Sequence, residues 1–189
     1  MAWTSNVSQG MTSGSANVAA SATSYRLMGL QNGAIYTFTV SATNAAGTGT
    51  ASASVAAMPY TRAGAPANLT AAALPGGQVH LNWAPPGDNG GATVTGYRIE
   101  RRADGGEWAV LVSGTATTLT SYLAIGLDSA VSYEFQVSAW NAAGMGAMSA
   151  ASPAVQPMAP PTTTTVAPTT TSTRPPARGM VPPRPVYIG

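Results

Sequence analysis

"YEFQVSAWNAAG", residues 133 to 144, repeats with few changes a stretch that lies 97 positions earlier, "YTFTVSATNAAG", residues 36 to 47. Both copies alternate strictly. Tyr, Phe, Val and Ala occupy one phase, and Thr, Ser, Glu, Gln and Trp the other. A period of two is what a half-buried strand requires, and the closing "NAAG" is turn chemistry. The same offset aligns Thr23, Ser24 and Tyr25 with Thr120, Ser121 and Tyr122, and Gly29 and Leu30 with Gly126 and Leu127. A period near 100 residues is too long for a solenoid unit, so each copy is expected to be a domain with its own core.

The second copy runs from about Ala65 to Pro157 as short alternating strands broken by turns. "QVHLNW" places Val79, Leu81 and Trp83 on one face and Gln78, His80 and Asn82 on the other. "PPGDNGGA" stops that strand. "VTGYRIERR" then buries Tyr97 and Ile99 and leaves Arg98 and Glu100 outside, and the last long strand turns Val131, Tyr133, Phe135, Val137 and Ala139 inward. No segment carries a helical period, so the expected class is all-β, a sandwich or a barrel with Gly and Pro turns.

Residues 65 to 157 resemble a fibronectin type III domain of the kind common in bacterial and phage extracellular proteins. The likeness rests on Pro66 at the opening, Trp83 on the second strand followed by "APP", and "NGG" in the next loop. It continues with Tyr97, with Leu127 six residues before Tyr133, and with the ending "VSAWNAAG". The resemblance implies an immunoglobulin-like β-sandwich of two antiparallel sheets without a disulfide. Trp83, Tyr97, Leu127, Tyr133 and Phe135 would form its core, and Tyr133 would be the corner tyrosine whose hydroxyl ties a sheet-to-sheet corner to nearby backbone.

The first copy, residues 1 to 59, matches only the later strands of this pattern, with no counterpart of Trp83, Tyr97 or the first three strands. Half a sandwich would leave Tyr36, Phe38 and Val40 without an opposing layer. Two explanations stand open: a fragment, or completion by strands of another chain. Residues 60 to 64 form a linker. From residue 158 to 189 the composition turns to Thr and Pro with three Arg and no acid, which is expected to be disordered or extended and to act as a spacer of about 100 Å at about 3.1 Å per residue.

Composition narrows the chemistry. Charged residues make up 7% of the chain, against roughly 25% in an average globular protein, and the net charge is +2. Neither nucleic acid nor membrane insertion is expected. Cysteine is absent, which excludes disulfides and thiolate metal sites. "MAWTSNVSQGMTSGS" has no basic start and apolar core of the signal-peptide kind, so export is expected through sequence elsewhere, through another path, or through virion assembly and lysis.

His80, the single histidine, lies on the outward phase with no acidic neighbour, so a catalytic triad is not expected. Glu100 and Glu134 face outward on neighbouring strands, but with Arg98, Arg101 and Arg102 close by they suit cross-strand ion pairing better than glycoside hydrolysis, which needs a cleft. Asp88 and Asn89 in "GDNGG" offer too few oxygens for calcium. No cofactor, no metal and no enzymatic activity are expected.

The remaining candidates are Trp108 and Trp140 on the outward phase, with Arg98 beside them. They form either a ligand platform for a glycan or protein surface or, for Trp140, an indole covered by an arginine such as Arg98. The expected function is a non-catalytic structural or adhesion module at an extracellular or virion surface. The alternative is an accessory region, linker or carbohydrate-binding, of a secreted polysaccharide-degrading enzyme.

Overall fold

The computed structural model of the protein describes residues 2–5 and 13–161. Among these the chain forms strands and no helix. The first copy holds β1 (Ala2–Ser5), β2 (Ser13–Ser15), β3 (Tyr36–Thr39), β4 (Thr43–Asn44), β5 (Gly47–Thr48) and β6 (Val55–Ala57). The second holds β7 (Ala67–Leu74), β8 (Gln78–Ala84), β9 (Gly96–Ala103), β10 (Ala109–Val112), β11 (Ser121–Ala124), β12 (Tyr133–Asn141) and β13 (Gly144–Met148).

The second copy is a complete two-layer sandwich. One sheet has the order β11-β8-β7, the other β10-β9-β12-β13, and every pairing is antiparallel. The inward phases of both sheets meet in one core of Val79, Leu81, Trp83, Tyr97, Ile99, Leu127, Tyr133, Phe135, Val137 and Ala139. Trp83 meets the ring of Tyr97 edge-on, 5.1 Å between centroids at 70°, the arrangement that sets a positive ring edge against a negative face. Pairing continues past β13, where Tyr133 and Val155 exchange both backbone hydrogen bonds and Met158 bridges to Pro75.

The first copy reproduces one of these sheets and corrects the expectation that its third strand is missing. Its order β2-β1-β3-β6 repeats β10-β9-β12-β13, so β1 takes the place of β9. Four residues separated from β3 by a long loop leave too little alternation for a sequence pattern to register. The repeat extends to single bonds. The Tyr36 hydroxyl accepts from Gln31 N at 2.9 Å, as the Tyr133 hydroxyl accepts from Asp128 N at 3.2 Å. Ser52 Oγ accepts from Val40 N, and Ser149 Oγ from Val137 N, both at 3.1 Å. Asn44 Oδ1 and Asn141 Oδ1 each accept from the amide two residues on, at 2.9 Å.

The opposing layer is another matter. Tyr36 does not lie bare as expected: Ala16, Leu27 and Leu30 pack around it and it is fully buried, while Phe38 is half-buried. Further along, the same face opens. Val40 is 54% exposed, and Val55, which pairs with Phe38 across the sheet, is 65% exposed. Apart from residues 158–161, the Thr/Pro-rich stretch lies outside the described residues.

Candidate functional site

The outer face of the β10-β9-β12-β13 sheet gathers most of the chain's candidate side chains. Antiparallel register sets Gly96 beside Trp140, Arg98 beside Ser138, Glu100 beside Gln136 and Arg102 beside Glu134. Directly opposed residues share a face, so this ladder presents Trp140, Arg98, Glu100, Gln136, Arg102 and Glu134 outward.

The carboxylates on it are occupied. Glu134 Oε2 accepts from Arg102 Nε at 2.7 Å. That bond, and the nearby positive charge, holds the Glu134 carboxyl below the ordinary glutamate range. Glu100 accepts from Gln136 Nε2 at 2.7 Å and pairs with Arg98 Nη2. The outward phase of Glu100 does not expose it: only 8% of the residue is accessible, a correction to the expectation that it lies outside. Long neighbours on one sheet face fold over a shorter side chain between them, and the buried charge persists because it is paired and hydrogen-bonded.

The two tryptophans share the sheet but not a site. Trp108 precedes β10 and lies under Arg102, whose guanidinium carbon is 4.9 Å from the ring centroid. Trp140 stands beside Gly96. The six steps along β9 from Gly96 to Arg102 separate them by about 20 Å at about 3.3 Å per strand residue. The cation–π contact considered for Trp140 and Arg98 therefore falls instead on Trp108 and Arg102, with a second between Arg101 and the Tyr133 ring at 5.5 Å. Trp140 is half-buried. It lines a shallow hollow of about 230 Å³ with Thr95, Gly96, Ser113, Gly114 and Ala116, and its indole N–H is buried without an acceptor.

Other candidates are accounted for locally. His80 is half-buried and its Nδ1 lies 3.3 Å from Asn82 Nδ2. Asp88 Oδ1 and Asn89 Oδ1 accept from Gly90 N and Gly91 N, closing the turn that the Asn and Gly content already implies. Among the described residues no group of three or more His, Cys, Asp or Glu could hold a metal ion. No helix there is long and apolar enough to cross a membrane.

Sequence reasoning missed one cluster. Asn32, Gly33, Thr61, Asn89, Gly91 and Asn141 meet where the two copies join. "NG" and "NGG" signal turns, and nothing in their composition shows that two turns touch.

Known proteins place this architecture. The family model for the fibronectin type III domain matches residues 3–58 and again 64–155. Chitinase A1 of Niallia circulans is 36% identical over 150 residues, covering 74% of this chain and 20% of the relative. An alpha-amylase of the same organism is 38% identical over 105 residues, covering 54% of this chain and 7% of the relative. The chain thus spans a fifth or less of the length of these curated relatives. In fold it is similar to domains A168–A170 of titin, with a TM-score of 0.52 and 24% identity over 69% of this chain and 43% of that one. With both copies matched, and the second forming the complete sandwich, the chain belongs to the fibronectin type III family.

Proposed function

We propose that this chain is a non-catalytic extracellular spacer that sets the distance and angle between the parts it joins, within a polysaccharide-degrading enzyme. The observation that carries this is the engagement of five of its six acidic side chains, all but the exposed Glu107, which leaves no second free carboxyl group to pair with it. Asp88 and Asp128 accept backbone N–H groups in their own turns, Asp104 accepts from Ser132 N, and Glu100 and Glu134 are paired with arginines. General acid–base chemistry on a glycoside needs two free carboxyl groups facing each other across a sugar. The setting is supported by the likeness to part of a chitinase and part of an alpha-amylase, and it weighs against the virion surface.

The test is incubation of the intact chain with chitin and with amylose. The expected result is no sugar released and no retention on either polymer. Retention on chitin that Trp140→Ala abolishes would replace the spacer with a carbohydrate-binding module. Release of sugar would end the non-catalytic reading.

Exposed Val40 and Val55 favour a second reading, in which another chain supplies strands to the open face of the first module. In the second module the equivalent face packs against Val79, Leu81 and Trp83, so the fitting partner is an alternating apolar strand. Light scattering is expected to give a mass above the monomer that falls to the monomer in Val40→Asp. A monomeric wild type would remove this reading.

A further inference from the structure

The residues between the modules do not run free. Pro59 O accepts from Gly33 N, Thr61 N donates to Gly90 O, and Gly64 N donates to Asp88 O, each at 2.8 Å. Asn141 Nδ2 donates to both Thr61 O and Asn89 O at 2.8 Å, and Asn32 Nδ2 to Thr61 Oγ1 at 3.2 Å. The connecting segment is therefore clamped between the Asn32–Gly33 corner of the first module and the Asp88–Gly91 loop of the second.

The contact is close enough to depend on missing side chains. Gly91 has φ of +80°, and a Cβ there would stand 2.3 Å from Gly33 N and 2.6 Å from Asn32 C. A Cβ on Gly33, at φ +79°, would stand 3.1 Å from the Gly91 Cα. Backbone meets backbone, so neither turn can yield by rotating a side chain.

The corner is not generic to the repeat. At the same offset the second module carries Ser129 and Ala130 where the first has Asn32 and Gly33. Ala130 lies outside the positive-φ region, and its N–H is spent on Asp128 Oδ1 at 2.8 Å. The segment after β13 bonds back to its own module, with Met158 N donating to Leu74 O and Gly77 N to Met158 O.

We infer that the Asp88–Gly91 loop, with Asn141, is a docking surface for a preceding fibronectin type III module bearing glycine at its corner, and that it locks the pair at one angle. This deepens the spacer reading, on which it rests. Its test reads the junction and not polysaccharide, so either can fail without the other.

Limited trypsin digestion of the intact chain reports the junction through cleavage after Arg62, with cleavage after Arg26 as internal reference. Gly91→Ala and Gly33→Ala are each expected to raise the rate after Arg62 about tenfold, as a clamped segment becomes an open one. Gly105→Ala, at φ +72° with nothing within 4 Å, is expected to leave that rate unchanged. Release in neither variant, in only one, or equally in the control overturns the inference. If Gly91→Ala is also cut after Arg98 or Arg101, its module has unfolded, and Gly33→Ala, in the other module, decides.

Discussion

Trp83→Ala is expected to lower the unfolding free energy of the second module by about 3 to 5 kcal/mol. Trp83 sits at the centre of the core, buried, edge-on to Tyr97 and facing the inward phase of β12. Removing it leaves a cavity in a sandwich whose sheets, about 10 Å apart, cannot close without breaking pairings on both sides. A domain of this size has about 5 to 15 kcal/mol in total, so the loss is a large share. Trp83→Phe is expected to cost much less. The indole N–H makes no hydrogen bond of good geometry and has only a weak contact with the Tyr97 hydroxyl, so phenylalanine gives up little polar interaction together with part of the volume. Urea unfolding followed by circular dichroism measures both. An unfolding free energy for Trp83→Ala within about 1 kcal/mol of the wild type would show that the core does not depend on this residue.

The second large effect is expected at a turn. Gly77 links β7 to β8 with φ of +70°, and a Cβ there would stand 2.3 Å from Leu127 O. Two bonds depend on that approach: Leu127 N donates to Gly77 O at 2.9 Å, and Gly77 N donates to Met158 O at 3.0 Å. Gly77→Ala is therefore expected to cost about 2 to 4 kcal/mol, combining left-handed strain with a backbone clash. Gly76→Ala separates the two causes. Its φ is +82°, but its nearest neighbour is the flexible end of Gln78 at 3.8 Å. About 1 to 2 kcal/mol is expected there. Equal losses from the two substitutions in the same unfolding measurement would show that packing against Leu127 adds nothing.

What alternation encodes was legible before any coordinates. Val79, Leu81 and Trp83, and Tyr133, Phe135, Val137 and Ala139, point inward because a period of two leaves no other arrangement with one face buried. What pairing encodes was not. Phase alone assigned Glu100 to the outside, yet its accessibility is set by Arg98 beside it and Gln136 on the next strand. The separation of Trp108 from Trp140 is a matter of register, which puts one at Arg102 and the other at Gly96. The junction was hidden for the same reason. Asn141 reads as the turn residue of "NAAG", as Asn44 does, and only the fold brings its amide to Thr61 and Asn89.

The linker bonds also determine how the protein answers a pull. Tension applied along the chain meets the hydrogen bonds of residues 59 to 62 in series with the sheet of the first module and the two-sheet core of the second. The weaker element gives first. Peeling residues 59 to 62 from their partners pays out about 14 Å of slack at about 3.5 Å each, before Ala63, which sits in the second module's core, bears the load. A connector stiff at rest thus becomes a short tether under force, and it recovers its angle when the force is removed, because no strand has left its sheet.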